Sequence, residues 1–260
     1  MKFCTLTSGS SGNCTLISDG STTILIDCGI NGKQAHSALT AAGVCPTEVD
    51  AILVTHEHSD HTGGIGVMSR RYGIPIYANT GTWTAMEYQL GKLDRDNIRT
   101  FSNDTDFEIG SLGIKAFGIP HDARSPVGYN IFIGGTKLSV ATDMGYVSED
   151  VMNNLLGSKM VVLESNHDVD MLRNGSYPFY LKQRILSELG HLPNENAAQI
   201  ALRLVQGGTS HIILAHLSRE NNRPDKAYHA SLCALENAGV SIGDDVMICV
   251  AEQWAAAGAW

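Results

Sequence analysis

The sequence predicts an α/β protein built as a four-layer αββα sandwich, in which two β-sheets pack face to face and helices cover the outside. Two series of short β-branched stretches support this prediction, one on each side of residue 99, and helical patterns are interposed in both. The 260 residues contain 43% apolar residues, no internal repeat and no linker-like tract. We therefore expect one domain over residues 1–260, with a loose tail from about residue 251 to 260.

The first series consists of apolar, β-branched stretches that are bounded by Gly, Ser, Asn and Asp, the usual turn residues. A helical pattern is predicted near residues 32–42, between the third and fourth strands. The predicted strands are 3–6, 14–17, 23–27, 51–54 and 74–77.

The second series begins with strands and continues as strands that alternate with helices. The predicted strands are 106–109, 112–117, 129–133, 137–141, 161–164 and 212–215. Longer stretches with apolar residues at helical spacing predict helices at 177–189, 194–206 and 224–237. The two series suggest two similar halves.

Composition limits the classes of function. No apolar stretch approaches the roughly 20 residues that cross a bilayer, and the N-terminus has no signal-peptide core, so we expect a cytoplasmic protein with no membrane partner. The six cysteines form no Cys-x-x-Cys pair, which favours buried reduced thiols and excludes them as metal ligands. A net charge of -9 argues against a surface that grips nucleic acid by charge alone.

The most informative segment is His56-Glu57-His58-Ser59-Asp60-His61, which directly follows a predicted buried strand. Side chains at the end of a strand can converge on one point, and imidazole with carboxylate is a ligand set that Zn²⁺ and similar divalent ions prefer. The segment therefore predicts a metal site.

Four other polar residues stand where a predicted apolar strand ends. Taken one at a time, each is equally well explained as a helix cap or as a satisfied buried group. They are Asp27, His121, Asp143 and His216.

The order of these residues along the chain resembles the five-motif signature of the metallo-β-lactamase superfamily, over almost the whole chain. The resemblance implies the αββα fold and two divalent metal ions, Zn²⁺ or Mn²⁺, with Fe²⁺ as a further candidate. It implies that His56, His58 and His121 hold one ion, that Asp60, His61 and His216 hold the other, and that Asp143 bridges them. Asp27 is then expected to accept a hydrogen bond from a ligand imidazole or a loop amide.

Further motifs are similar to those of the YycJ/WalJ-like group of bacterial metallohydrolases. They are Thr7-Ser8-Gly9-Ser10-Ser11-Gly12-Asn13-Cys14, Pro120-His121-Asp122-Ala123, Leu163-Glu164-Ser165-Asn166-His167-Asp168 and His216-Leu217-Ser218-Arg219-Glu220-Asn221-Asn222. His191 stands at the position of a histidine that contacts or protonates the scissile phosphate in related nucleases, and we expect Asn194 to cap the next helix. Pro193 departs from the Ser that is usual in the group.

The resemblance implies a 5′ to 3′ exonuclease that acts on double-stranded DNA, with a link to mismatch repair and so to DNA-repair proteins. The residues support a dinuclear phosphodiesterase in which His191 delivers a proton to the leaving alkoxide. We expect Asp60 and His191 to be the catalytic residues, His191 mainly from its motif position, with a histidine in a helix-capping loop as the alternative. The alternative is a phosphodiesterase of small molecules or cyclic nucleotides, which the acidic composition and the lack of a clamp domain favour. A non-catalytic, metal-stabilised regulator is a third reading, which the complete ligand set disfavours.

Other residues near these motifs are candidates for substrate contact or for support of the ligands, and each has an alternative structural explanation. The Gly/Ser loop with Ser11 and Asn13 is either an anion-binding loop or a plain hairpin turn. Asn166 and His167, which follow Glu164, are candidates for orienting Asp143 or a phosphate. Further candidates lie just after His216, where a solvated turn is the alternative; they are Ser218, Arg219 and Asn221.

Overall fold

The computed structural model describes residues 1–103, 105–251 and 257–258. They divide into two compact units. Among the described residues, unit 1 comprises 1–103, 105–116, 123–127 and 257–258, and unit 2 comprises 117–122 and 128–251. The single domain predicted for residues 1–260 stays a prediction. Most of the predicted tail lies outside the described residues, but Ala257 forms an antiparallel bridge with Thr5.

Unit 1 contains a six-stranded sheet of order β1-β2-β3-β4-β5-β6. Its strands are β1 (Lys2–Thr7), β2 (Cys14–Ser18), β3 (Thr23–Ile26), β4 (Ala51–Leu53), β5 (Ile76–Asn79) and β6 (Ile98–Phe101). The first three strands pair antiparallel, and β3 to β6 run parallel. The helices are α1 (Gly32–Ala41), α2 (Ser59–Thr62), α3 (Ile65–Tyr72) and α4 (Thr80–Leu90).

Strands β3 and β4 are buried at every position and apolar except at Thr23, because a strand in mid-sheet is covered on both faces. Helices α1 and α3 pack in the same apolar core, which includes Leu39 and Met68. Since parallel strands end at the same edge of a sheet, the residues that follow β3 and β4 come together there.

The second sheet has seven strands in the order β13-β12-β11-β10-β9-β8-β7. Its strands are β7 (Phe107–Ile109), β8 (Leu112–Gly118), β9 (Val127–Ile133), β10 (Thr136–Ala141), β11 (Met160–Glu164), β12 (His211–Ala215) and β13 (Met247–Val250). The helices of unit 2 are α5 (Glu149–Leu155), α6 (Val169–Asn174), α7 (Phe179–Ile185), α8 (Asn194–Gln206) and α9 (Pro224–Asn237).

Strands β10 to β13 are parallel, so the residues that end β10, β11 and β12 lie side by side at one edge of this sheet. Strands β9 and β10 form a hairpin, and the two residues of its turn, Gly134 and Gly135, have φ values of 52° and 85°. A two-residue hairpin turn of this hand needs positive φ at both positions, which glycine adopts without a steric penalty.

Several sequence predictions of elements are corrected by the structure. The helix predicted at 177–189 is shorter, α7, because Pro178 marks its beginning and the chain leaves the helix after Ile185. The elements α2, α4, α5, α6, β6 and β13 were not predicted; β13, for example, has only one buried residue and hence little patterning. The other predicted helices, near 32–42, 194–206 and 224–237, correspond to α1, α8 and α9.

All six cysteines are unpaired thiols in the described part of the chain. Cys4, Cys14 and Cys28 are buried, as expected, but Cys45 is exposed, so the expectation of buried thiols is wrong for that residue. No helix among the described residues is both long and apolar enough to cross a lipid bilayer.

Candidate metal centre

The histidine-rich segment leaves β4 and crosses the edge of the unit 1 sheet into α2. His56 and His61 are buried, whereas His58 and Asp60 are partly exposed. The Nε2 atom of His56 lies 3.1 Å from the Nδ1 atom of His58. Two nitrogen ligands of one tetrahedral Zn²⁺ are separated by about 3.3 Å, which follows from a Zn–N bond of about 2.0–2.1 Å. The two imidazoles therefore have the spacing of a chelating pair.

Asp27 orients two of these histidines through one carboxylate. Its Oδ1 accepts a hydrogen bond from the Thr55 amide at 2.8 Å, and its Oδ2 accepts from the Thr55 hydroxyl at 2.7 Å and from His61 Nδ1 at 2.8 Å. Because the Thr55 hydroxyl donates to Asp27, its oxygen is left to accept from His56 Nδ1, which lies 3.0 Å away. Both imidazoles thus carry the proton on Nδ1 and present Nε2 as the ligand atom.

Asn13 connects the Gly/Ser loop to the same segment. Its amide N–H donates to the Asp60 carbonyl at 2.8 Å, and its Nδ2 donates to His61 Nε2 at 3.0 Å. Coordination of an ion by His61 Nε2 would replace the second hydrogen bond, since that nitrogen has one lone pair. Within the loop, Gly9 N–H donates to Asn13 Oδ1 and Gly12 N–H to the Gly9 carbonyl, so these amides are used in the turn. Ser11 is exposed.

Gly29 allows the ligand segment to pack directly on the end of β3. A Cβ atom at Gly29 would lie 1.6 Å from the carbonyl oxygen of Asp60, which is backbone and cannot turn aside. The contact is reinforced by a hydrogen bond from the Cys28 amide to the His61 carbonyl at 2.9 Å. The position of Asp60 and His61 therefore depends on the absence of a side chain at residue 29.

Glu164 plays in unit 2 the part that Asp27 plays in unit 1. It ends β11, is fully buried, and its Oε1 accepts from His191 Nδ1 at 2.8 Å and from His216 Nδ1 at 3.0 Å. Its Oε2 accepts from the amides of Met144 and Leu192 at 2.7 and 3.3 Å. Burial by itself raises the pKa of Glu164, but the charge of His191 and the hydrogen bonds from both histidines outweigh it and leave the pKa below its ordinary value.

The nitrogen atoms that remain on His216 and His121 face carboxylate oxygens. His216 Nε2 lies 3.4 Å from Asp143 Oδ1, and His121 Nε2 lies 3.9 Å from the same atom. His121 Nδ1 donates to the Gly190 carbonyl at 3.2 Å, and burial lowers the pKa of His121, so its Nε2 is a lone-pair acceptor. Acceptor atoms that face one another repel unless a cation lies between them. Such a grouping of acceptors is the arrangement expected of metal ligands.

Strained backbone marks three of these residues. Among the described residues other than glycine, positive φ occurs at Asp27, Asp143 and His216, with values of 60°, 62° and 57°. This left-handed region costs most residues about 1–2 kcal/mol, and such outliers cluster at functional sites. Asn166 holds one of them, because its Nδ2 donates to the His216 carbonyl at 2.8 Å. The contact of Asn166 is thus with His216, whereas the sequence suggested Asp143 or a phosphate.

The remaining candidates occupy structural positions. His167 is buried, its Nδ1 lies 3.3 Å from Asn166 Oδ1, and burial lowers its pKa to about 4. The Ser218 hydroxyl accepts from the Asn221 amide at 3.2 Å, and both side chains are buried, which rules out a solvated turn at these two residues. Arg219 is exposed beside them.

The expected cap of α8 is wrong. Pro193 holds the N-cap position of α8, with no side-chain hydrogen bond, and Asn194 is the first helical residue. Instead of capping, the Asn194 side chain is buried and exchanges two hydrogen bonds with the side-chain amide of Asn222, at 2.8 and 2.9 Å.

Sequence reasoning missed Thr55, Gly190 and Asp122. Thr55 carries the link from Asp27 to His56, and a polar residue between a buried strand and the first histidine was the available signal. Asp122 Oδ1 lies 3.4 Å from His121 Nε2. Gly190 acts through its carbonyl, for which a sequence offers no signal.

Each unit by itself offers a donor set that suits a divalent ion. In unit 2, one ligand atom from each of four residues lies within 4.8 Å of the others; the residues are Asp143, Glu164, His191 and His216. Because the Nδ1 atoms of His191 and His216 are bonded to Glu164, the Asp143 carboxylate and His216 Nε2 are the donors left for an ion, and oxygen with imidazole nitrogen suits Zn²⁺, Mn²⁺ or Fe²⁺. In unit 1 the pair of His56 and His58, together with His61, offers imidazole nitrogens. The residues present therefore fit bound divalent metal.

Comparisons with known proteins agree with this chemistry. The model of the beta-lactamase superfamily domain matches residues 22–217. The chain is 40% identical to exodeoxyribonuclease YycJ of Bacillus anthracis over 244 aligned residues. The alignment covers 94% of this chain and 92% of that protein. It is also 40% identical over 249 residues to exodeoxyribonuclease WalJ of Streptococcus pneumoniae, which covers 95% and 93%.

A solved structure confirms the predicted fold class. The metallo-beta-lactamase fold protein YhfI from Bacillus subtilis matches with a TM-score of 0.72 at 17% identity, over 98% of this chain and 99% of that chain. The chain therefore belongs to the metallo-β-lactamase superfamily and, within it, to the hydrolase family of the YycJ/WalJ exodeoxyribonucleases.

Proposed function

We propose that this enzyme is a metal-dependent phosphodiesterase that degrades double-stranded DNA from the 5′ end towards the 3′ end. The observation that carries the proposal is the 40% identity, over 94% of the chain, to a protein named exodeoxyribonuclease. The hydrogen-bonded set of His191, Glu164 and His216 in unit 2 supports it, because it supplies a proton donor beside candidate metal ligands. Mismatch repair, with DNA-repair proteins as partners, and a cytoplasmic location remain part of the proposal.

The proposed ligands are seven residues that follow the order of the superfamily signature. Two divalent ions, Zn²⁺ or Mn²⁺ with Fe²⁺ as a further candidate, would be held by His56, His58, Asp60, His61, His121, Asp143 and His216. When bound, such ions supply Lewis-acid stabilisation of the negative charge on the phosphate and activation of water.

His191 is proposed to protonate the leaving alkoxide. Its Nδ1–H donates to the buried carboxylate of Glu164 at 2.8 Å, which leaves Nε2 as the ring atom that can deliver a proton. The side chain is 21% exposed, so Nε2 can approach a phosphodiester that arrives from solvent. The Glu164 carboxylate fixes the ring orientation, as the carboxylate does in an Asp–His pair of a hydrolase.

A denaturing-gel time course tests the proposal. The substrate is a 3′-labelled, 5′-phosphorylated DNA duplex, with Mn²⁺ or Zn²⁺ added to the full-length enzyme. We expect a ladder that shortens from the 5′ end, loss of activity in Asp60→Asn, and a rate lower by about 100-fold or more in His191→Ala, the usual contribution of a general acid. His229→Ala, which removes an exposed histidine on α9, is the matched control and should cleave like the parent.

The alternative function has its own outcome. A fully metallated enzyme that leaves every duplex intact but hydrolyses bis(p-nitrophenyl) phosphate or cyclic nucleotides would refute the exonuclease and support a small-molecule phosphodiesterase.

A further inference from the structure

The segment 173–190 of unit 2 presents aromatic side chains to solvent. Phe179 and Tyr180, at the beginning of α7, are 74% and 75% exposed. Large apolar side chains on a surface cost solvation unless a partner covers them, and a group of them marks an interaction site. Later in the segment, Leu186 and Leu189 are 43% and 51% exposed.

The charge of the segment indicates the kind of partner. Residues 173–190 include three cations, Arg173, Lys182 and Arg184, and one carboxylate, Glu188, in a chain that has 27 Asp and Glu against 18 Lys and Arg. Lys182 is held in place, since its Nζ donates to the carbonyls of Arg173 and Gly175 at 2.9 and 2.7 Å. Exposed aromatic rings beside cations match the surface on which proteins bind unpaired nucleic acid, with bases stacked on the rings and cations near the phosphates.

The segment is also bonded to the residues of the candidate centre within unit 2. The His191 amide donates to the carbonyl of Ile185, the last residue of α7, at 3.0 Å. Arg184 Nε lies 2.5 Å from Asp122 Oδ2, and the Asp122 amide donates to the Leu189 carbonyl at 3.2 Å. A nucleic acid bound on α7 would therefore contact an element that directly fixes the backbone of His191.

We propose that Phe179 and Tyr180 form a base-stacking surface for the unpaired end of a DNA strand. This inference rests on the proposed function and deepens it, because stacking on the rings requires nucleotides that have left the duplex. The enzyme then binds frayed or single-stranded ends through these two residues, and intact base pairs do not use this surface.

Fluorescence binding with 2-aminopurine tests the proposal on the full-length, metallated enzyme. The probe is a 12-nucleotide single strand with a 5′-phosphate, phosphorothioate linkages that resist cleavage, and 2-aminopurine near the 5′ end. We expect the parent to quench the probe, and Phe179→Ala and Tyr180→Ala each to raise Kd about tenfold, which corresponds to about 1.4 kcal/mol. The quench should be recovered in Phe179→Tyr and Tyr180→Phe, which keep a ring.

Two controls separate stacking from other effects. Tyr88→Ala removes a ring that is 89% exposed on α4, and it should change Kd less than twofold. An abasic oligonucleotide should bind the parent as weakly as the ordinary oligonucleotide binds the alanine variants. Alanine variants that bind like the parent, or an abasic probe that binds as tightly as the ordinary one, would overturn the proposal.

Failure of the stacking surface and failure of the exonuclease are distinguishable. If the parent quenches the probe but never cleaves DNA, the stacking surface is supported and the exonuclease is refuted. If the parent cleaves duplex DNA and both Phe179→Ala and Tyr180→Ala bind and cleave like the parent, the exonuclease is supported and the stacking surface is refuted.

Discussion

Glu164→Gln is expected to weaken metal binding strongly, because this one carboxylate holds two histidines. The substitution keeps the shape of the side chain but replaces one acceptor oxygen by an NH₂ group. In the parent protein, Oε1 accepts from His191 and His216, and Oε2 accepts from the Met144 and Leu192 amides. Whichever way the glutamine amide is turned, its NH₂ group faces two donors.

The magnitude follows from those lost hydrogen bonds. A buried donor left without an acceptor costs about 1–3 kcal/mol, so two of them should lower the free energy of unfolding by about 2–6 kcal/mol. Loss of a carboxylate that supports ligand imidazoles typically costs about 10–100-fold in metal affinity. We expect both effects together, since the glutamine cannot satisfy the imidazoles and the amides at once.

The assay is competition for Zn²⁺ against a chromophoric chelator, followed by chemical denaturation of the metal-free protein. Glu149→Gln is the matched control, because Glu149 is 75% exposed and its ion pair with Arg203 lies on the surface, where such pairs contribute about 0–1 kcal/mol. A Glu164→Gln protein with parental affinity for Zn²⁺ would refute the assignment of this carboxylate as the support of His191 and His216.

Two further predictions concern packing and pH. Gly29→Ala should destabilise the ligand segment and abolish hydrolysis, because the new Cβ collides with the Asp60 carbonyl. Gly118→Ala is the control and should leave activity unchanged, because its new Cβ has no atom within 4 Å. Thermal unfolding and phosphodiester hydrolysis are measured for both variants. The pKa of about 4 at buried His167 lies below its unfolded value of about 6.5, so the unfolded chain binds more protons and stability falls as pH drops from about 6.5 to 4, by about 3 kcal/mol in total. Denaturation across this range should give a flatter pH dependence in His167→Gln, and equal slopes in both proteins would contradict the reasoning.

The sequence allowed much of the fold to be predicted where local patterning is strong. The helix at 194–206 has apolar residues at helical spacing and was predicted with the bounds of α8, whereas α4 and β13 were missed because their burial depends on neighbouring elements. The fold class was predicted from the two series of strands with interposed helices, and the order of the motif residues implied the same fold.

The candidate site divides in the same way. His56, His61 and Asp27 were identifiable because polar side chains interrupt apolar stretches. The link through the Thr55 hydroxyl and the support from the Gly190 carbonyl depend on three-dimensional contacts, and a main-chain carbonyl leaves no trace in residue type.

The left-handed backbone at Asp27, Asp143 and His216 creates a trade-off between the stability of the protein and its activity at these three residues. Glycine at any of the three positions would adopt the same φ without strain and would stabilise the backbone there, but it would remove the carboxylate or imidazole. A descendant of this protein that no longer needed hydrolysis would gain stability by exchanging these residues, so relaxed selection should be visible first at these three bends.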